Sequence, residues 1–188
     1  ILIDMSGNTA GDRLKVFARH PAPVQITWIG YPGTTGIKAM DYILMENTVL
    51  PGKNINAQFT EKIIRIPRSY AFDVEEQLPD VTEAPCVNNN FITFGSFNRL
   101  NKINREVIAL WCEVLRKLPD SRLQMAGMPS DGAPDELLTW FKEEGISEDR
   151  LYFYPRSGFV EYLKLHNQVD FCLDTFPYTG GTTTMHAL

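Results

Sequence analysis

The run Val169-Asp170-Phe171-Cys172-Leu173-Asp174 gives way to Thr175-Phe176-Pro177-Tyr178-Thr179 and restarts as Gly180-Gly181-Thr182-Thr183-Thr184-Met185-His186-Ala187-Leu188. A short apolar run bounded by turn residues reads as a buried strand, and a glycine pair followed by hydroxyls reads as the start of a helix. A helix start leaves its first N–H groups unpaired and carries the positive end of the dipole, so a glycine turn that admits an anion makes a diphosphate cradle. That helix has no room to finish before Leu188, and the expectation is a piece of a longer chain.

Upstream of this unit the pattern alternates: strands at residues 91–96, 122–126, 151–154 and 171–174, separated by helices at 105–118, 135–144 and 159–167. The alternation predicts parallel strands joined by right-handed helical crossovers, a Rossmann-like sheet. Val107, Ile108, Leu110, Trp111, Val114 and Leu115 in one helix, with Leu137, Leu138, Trp140 and Phe141 in the next, recur at helical spacing and are expected to pack in the core. The first half opens with a strand over residues 1–5 and a Ser6-Gly7-Asn8 turn. A helix ending at Pro21 follows, in which Thr9 and Asp12 have capping-box spacing. Further strands are expected at 24–29, 42–45 and 62–66, with the glycine-punctuated loop Gly30-Tyr31-Pro32-Gly33-Thr34-Thr35-Gly36 after the first of them. Between the halves, residues 73–90 are acidic and polar with Pro79, Pro85 and Asn88-Asn89-Asn90, a linker composition that marks a boundary.

The 188 residues, 44% apolar and 11% aromatic, have the composition of a folded globular protein. A net charge of −5 and the lack of a Lys/Arg block exclude nucleic acid as the main partner. No stretch has the length of a membrane span and nothing resembles a signal peptide, so no membrane association and a cytoplasmic location are expected. Cys86, Cys112 and Cys172 are too few and too scattered for a disulfide framework or zinc knuckle, and Cys112 and Cys172 read as packed core thiols.

Ligands of an open parallel sheet bind outside the carboxyl ends of its strands. Three segments reach that edge: the one carrying Asn98, Arg99 and Lys102, the Pro155-Arg156-Ser157-Gly158 turn, and the helix start from Gly180 to Thr184. A fixed lysine beside a helix start is what a departing diphosphate needs, because it stabilises charge that grows in the transition state. Thr182, Thr183 and Thr184 offer hydroxyls and N–H groups to phosphate, or act as ordinary helix caps. His186 shares their helical face, as a site group or as a surface polar residue. Tyr162 is placed to stack on a base or simply to pack half-buried. His20 and His166 read as a loop and a helix-terminal residue. No Asp-X-Asp, His-X-X-X-His or Cys-X-X-Cys pattern supports a metal, and no Gly-X-Gly-X-X-Gly or Walker loop supports a dinucleotide or P-loop site.

The blocks Ile3-Asp4-Met5-Ser6-Gly7-Asn8-Thr9, Arg19-His20-Pro21-Ala22-Pro23-Val24-Gln25, the Gly30–Gly36 loop, Asn98-Arg99-Leu100-Asn101-Lys102, and Cys172-Leu173-Asp174-Thr175 with Gly181-Thr182-Thr183 together resemble the catalytic region of the O-linked N-acetylglucosamine transferase family. The likeness covers essentially the whole chain, in the family's order, and is strongest to bacterial members with upstream tetratricopeptide repeats. It implies a GT-B architecture, α/β with two Rossmann-like parallel-sheet lobes, both incomplete here. Residues 1–80 are then the back of the N-terminal lobe, 81–90 a linker, and 91–188 most of the nucleotide-sugar-binding lobe. The implied activity is inverting, metal-independent transfer of N-acetylglucosamine from UDP-GlcNAc to Ser or Thr hydroxyls of proteins, with no cofactor.

By position, Lys102 resembles the lysine that helps UDP leave, and Thr182 and Thr183 the threonines on the diphosphate. Arg99 occupies a donor-site position that is Gln in animal enzymes. Asn98, Gly180 and Thr184 belong to the same donor-site blocks. Ser157 falls where backbone groups read uracil, and Tyr162 where a histidine stacks near the base in animal members. Gly181 replaces a phosphate-contacting histidine, and His186 stands where an acidic residue contacts the ribose. The histidine that assists acceptor activation in the family would precede Ile1, so the isolated chain is expected not to turn over. The alternatives are a non-catalytic nucleotide-sugar-binding lobe or a transferase of another UDP-sugar; a nucleotide-dependent oxidoreductase is disfavoured by the missing glycine fingerprint.

Overall fold

The computed structural model describes residues 1–47, 54–67 and 78–188. The chain divides into two compact units, Ile1–Phe72 and Asp73–Leu188.

In the first unit, strands β1 (Leu2–Asp4), β2 (Gln25–Trp28), β3 (Tyr42–Glu46) and β4 (Lys62–Ile66) form one parallel sheet in chain order. Ile3 pairs with Ile26, and Ile43 with Ile63. The helix expected to run to Pro21 is a single turn, α1 (Leu14–Phe17). Gly11 adopts φ 83°, which ends the turn before it, and Thr9 spends its hydroxyl on the Ser6 carbonyl at 2.8 Å. Asp12, not Thr9, supplies the acceptor at the helix entry, taking the Leu14 N–H at 3.1 Å. The core here is thin: Leu14, Phe17 and Met40 form one buried cluster, Ile43 and Met45 another.

Carboxylates organise this unit's loops. Asp4, 3% exposed, accepts from the N–H groups of Ser6 and Gly7 and from the Thr27 hydroxyl at 2.8–3.1 Å. Glu61 accepts from Thr34 Oγ1 at 2.7 Å, Thr35 N at 2.8 Å and the Thr35 hydroxyl. Burial alone would raise the Glu61 pKa, but these donors outweigh it and hold the carboxyl below its ordinary value. The backbone of Met5 and Ser6 occupies the space a Cβ on Gly30 would need, so this position admits only glycine.

The second unit begins with α2 (Cys86–Asn89), inside the stretch read as linker. Asp170 ties this helix down, accepting from Cys86 N at 2.8 Å and Thr93 N at 2.7 Å. Burial pushes the Asp170 pKa up, and the two backbone bonds more than reverse it. Strands β5 (Thr93–Ser96), β6 (Arg122–Met128), β7 (Leu151–Pro155) and β8 (Phe171–Cys172) alternate with α3 (Arg105–Lys117), α4 (Asp135–Glu143) and α5 (Phe159–His166); α6 (Thr182–His186) ends the set. The sheet is parallel throughout with order β7-β6-β5-β8. The two-lobe α/β expectation holds, each unit carrying a four-stranded parallel sheet.

Helices α3 and α4 cover the sheet with Val107, Ile108, Trp111, Leu115, Leu137 and Phe141, all buried against Leu123 and Met125. Leu110, expected in the core, is 47% exposed, because the apolar stripe is narrower than its sequence suggests. Cys112 is buried as expected. Cys172 is exposed on the two-residue edge strand β8, which corrects its reading as a core thiol. Among the described residues no helix is long and apolar enough to cross a membrane.

Candidate functional site

The strand order fixes where a ligand can sit. From β5 the chain proceeds to β6 and β7 on one side, then returns to place β8 on the other, so β5 and β8 flank a topological switch point. Loops leaving adjacent strands in opposite directions there open a crevice at their carboxyl ends. A cavity of about 70 Å³ lies at that point, lined by Phe97 and Asn98 after β5, Cys172 to Asp174 at β8, and Thr183, Thr184 and Ala187 of α6. A larger recess of about 480 Å³ lies at the opposite, amino ends of the strands, where Arg122 stacks on Phe91 and donates to the Tyr152 hydroxyl at 2.7 Å.

Asp174 is the centre of the switch-point site. Its Oδ1 accepts from Asn98 Nδ2 at 3.0 Å, Thr175 N at 2.8 Å and Gly180 N at 2.7 Å. Asn98, 6% exposed, also receives the Thr183 hydroxyl on its Oδ1 at 3.4 Å. One carboxylate therefore joins the end of β5, the end of β8 and the turn into α6. Gly180 fits between them only because it lacks a side chain: a Cβ there would lie 3.0 Å from Thr183 Oγ1 and 3.1 Å from Asn98 Oδ1, and closer still to the Thr184 hydroxyl.

Lys102 ends a short 3₁₀ turn, Leu100–Lys102, just past β5. Its ammonium donates to the Thr179 carbonyl at 2.8 Å and lies 4.5 Å from the centre of the Tyr178 ring. Burial lowers the Lys102 pKa, Asp174 pulls it up, and Arg99 adds to the fall; the net position is below an ordinary lysine. Asn104 accepts the Val107 N–H at 2.9 Å to cap α3 and donates to the Phe176 carbonyl at 3.1 Å, tying the same loop to the helix.

Behind Phe97 stands an aromatic wall. Phe97 stacks on the His166 ring at 3.7 Å and meets Tyr162 edge-on at 5.7 Å. His166 ends α5 as expected and is also half-buried against a site residue. Burial pushes the Tyr162 phenol up to about 12, with the nearby Cys172 adding to the rise, so it stays protonated, and its hydroxyl shares a hydrogen bond with His186 Nδ1 at 3.1 Å. Burial also holds His186 and His166 below the ordinary imidazole value, leaving both neutral at pH 7.

Of the residues singled out from sequence, Asn98, Thr183 and Thr184 line the cavity. Gly180 closes the turn before α6, while Lys102, in the turn after β5, reaches that loop through the Thr179 carbonyl. Tyr162 and His186 pair with each other beside the cavity. Gly181 stands at the entry to α6 and Thr182 is exposed at its first residue. Arg99 is exposed beside Lys102, and Ser157 is exposed in the turn before α5 without lining the cavity. Asp174, Thr175, Asn104 and Tyr178 escaped sequence reasoning. Asn104 carried a legible signal, an Asn immediately before a helix start. Asp174 carried a weaker one, an acidic residue at a strand's carboxyl end ahead of a glycine turn. Among the described residues no group of three His, Cys, Asp or Glu is placed to hold a metal ion.

The sequence matches glycosyl transferase family 41 over residues 1–89 and 73–188. It is 36% identical over its whole length to the probable UDP-N-acetylglucosamine–peptide N-acetylglucosaminyltransferase SPINDLY of Hordeum vulgare, covering 20% of that protein. It is 30% identical over 98% of its length to the corresponding SEC protein of Arabidopsis thaliana, covering 19% of that one. The chain thus spans about one fifth of these relatives. A solved mutant of the Thermobaculum terrenum O-GlcNAc transferase superimposes with a TM-score of 0.84 at 34% identity, over 99% of this chain and 35% of that one. With a family match across both units and a solved relative that follows the backbone from end to end, the chain belongs to glycosyl transferase family 41.

Proposed function

We propose that these residues are the donor-holding part of a protein that moves N-acetylglucosamine from UDP-GlcNAc to Ser or Thr hydroxyls of protein acceptors, with inversion and without a metal. The observation that carries the reading is the convergence at the β5/β8 switch point: a lysine ammonium, threonine hydroxyls and a glycine turn fixed by one carboxylate. The activities for which the relatives are named fit it.

In the reaction an acceptor hydroxyl oxygen attacks C1 of the sugar as the bond from C1 to the β-phosphate oxygen breaks, and the hydroxyl proton passes to a base. Negative charge grows on the departing diphosphate. Lys102 has two ammonium donors beyond the one on Thr179, and these meet that charge where a metal would otherwise serve. Thr182 and Thr183 add hydroxyls on the same side, and Tyr162 stands where the resemblance places a group that stacks near the base. The role of these residues in that reaction is to hold the donor and receive the charge of the leaving diphosphate.

Calorimetric titration of UDP and UDP-GlcNAc, with EDTA present, tests this in the chain and in a Lys102→Ala, Thr183→Ala double variant. Removing a charge-assisted and a neutral contact lowers affinity by about tenfold to a hundredfold. Equal binding by the variant would place the diphosphate elsewhere and overturn the assignment.

A further inference from the structure

The loop between β8 and α6 does more than connect them. Three side chains latch it: Asp174 holds Gly180 N at 2.7 Å, Thr175 Oγ1 donates to the Tyr178 carbonyl at 2.7 Å, and Asn104 Nδ2 donates to the Phe176 carbonyl at 3.1 Å. Thr175 is 1% exposed, so its latch lies inside the unit. What these latches present outward is the Thr179 carbonyl and the face of the Tyr178 ring, and the Lys102 ammonium sits on both, at 2.8 Å and 4.5 Å.

We propose that Tyr178, with the Thr179 carbonyl, is a seat that positions Lys102, making Tyr178 a positioning residue for whatever anion Lys102 binds.

The chemistry of a lysine makes such a seat useful. Its four-carbon stem has many rotamers, and an unrestrained ammonium must be ordered when the anion arrives. A carbonyl fixes one of the three N–H bonds, and the ring quadrupole attracts the charge without consuming a donor, so two N–H groups remain for oxygen ligands. Preorganisation of this kind lowers the cost of binding and keeps the charge in place as the diphosphate leaves. Tyr178 is 46% exposed, so its ring is not needed to fill the core. Because the ring face rather than the hydroxyl meets Lys102, phenylalanine serves as well as tyrosine, and leucine does not.

The inference rests on the transferase reading only for its consequence, and the test separates the two. In ¹H–¹³C spectra of the chain, the Lys102 methylene beside the ammonium resonates upfield of the other lysines through the Tyr178 ring current. That shift persists in Tyr178→Phe and disappears in Tyr178→Leu, with the remaining methyl spectrum showing that each variant is folded. Against UDP, Tyr178→Leu weakens affinity about three- to fivefold, Tyr178→Phe restores it, and in a Lys102→Met background the leucine change has no further effect. A Lys102 resonance indifferent to Tyr178→Leu overturns the seat. So does a loss of UDP affinity that is equally large in the Lys102→Met background, which would mean that Tyr178 touches the nucleotide itself. If the unmodified chain shows the ring-current shift but binds no UDP, the seat stands and the transferase reading is what fails.

Discussion

Both units contain a four-stranded parallel sheet, yet one sheet runs β1-β2-β3-β4 and the other β7-β6-β5-β8. In the first, the described strands follow one another in chain order, with no reversal of the kind that makes loops diverge among the described residues. In the second the reversal between β5 and β8 opens one, and the cavity with Asn98, Asp174 and Thr183 lies there. The carboxylates repeat the contrast. Asp4 is buried with three donors and Glu61 is closed in by Thr34 and Thr35, whereas Asp174 is exposed, takes its three donors on one oxygen, and stands beside a lysine. Equal hydrogen-bonding chemistry closes loops in one unit and, in the other, shapes the turn at the proposed donor site, and the topology decides which.

The largest break in that symmetry comes from removing each carboxylate in turn. Asp4→Ala strands the buried Gly7 N–H and Thr27 hydroxyl and the half-buried Ser6 N–H, at a cost of about 3 kcal/mol. Urea unfolding followed at Trp28, in β2, shows it as an early transition, while UDP affinity in the other unit stays within twofold. Asp174→Ala does the reverse. Its unfolding free energy changes by about 1 kcal/mol, because water replaces an exposed acceptor. UDP affinity falls about tenfold as the turn into α6 loses its anchor. Similar stability losses at the two sites, with no difference in UDP binding, would dissolve the distinction.

Acid sharpens the comparison next. His166 is held neutral by burial against Phe97, so its folded pKa lies below its unfolded one. Its contribution is complete above about pH 6.5 and is lost as pH falls below that, through the folded value. Glu61 and Asp170 have folded pKa values below their unfolded ones. Their stabilisation is complete above about pH 4.5 and disappears as pH falls through the lowered values. The second unit therefore starts to weaken just below pH 6.5, and the first holds until the carboxylate range. Fluorescence-detected unfolding midpoints between pH 7 and 3 report this order, and Glu61→Gln flattens the acid limb of the first unit. A first unit that weakens before the second would contradict it.

How much of this was legible in the sequence follows the same divide. The alternating elements of the second unit were readable because its longer helices and strands show their own period, as in α3, whose stripe buries Val107, Ile108, Trp111 and Leu115. The first unit's helix was overread: a Thr and an Asp at capping-box spacing say nothing about Gly11, whose positive φ ends the pattern. At the site, Lys102 and the threonines were visible as local motifs. Asp174 was not, since its partnership with Asn98 spans 76 positions and exists only once β5 and β8 are neighbours. Tyr178 was invisible for the same reason, its lysine lying in another loop.

The smallest effect concerns a strain that the first unit carries and the second lacks at the equivalent strand end. Ile29 follows β2 with φ 59°, a left-handed conformation that crowds a β-branched side chain, and its side chain is 47% exposed. The residues leaving β5 toward the cavity show no such angle. Ile29→Asn relieves the crowding and removes little buried surface, so it stabilises the first unit by about 1 kcal/mol. The gain appears as a higher urea midpoint at Trp28 with an unchanged slope. A loss instead would mean that Ile29 packs against a group outside this unit, and the strain would then be the cost of holding an interface rather than a local accident of the Gly30 turn.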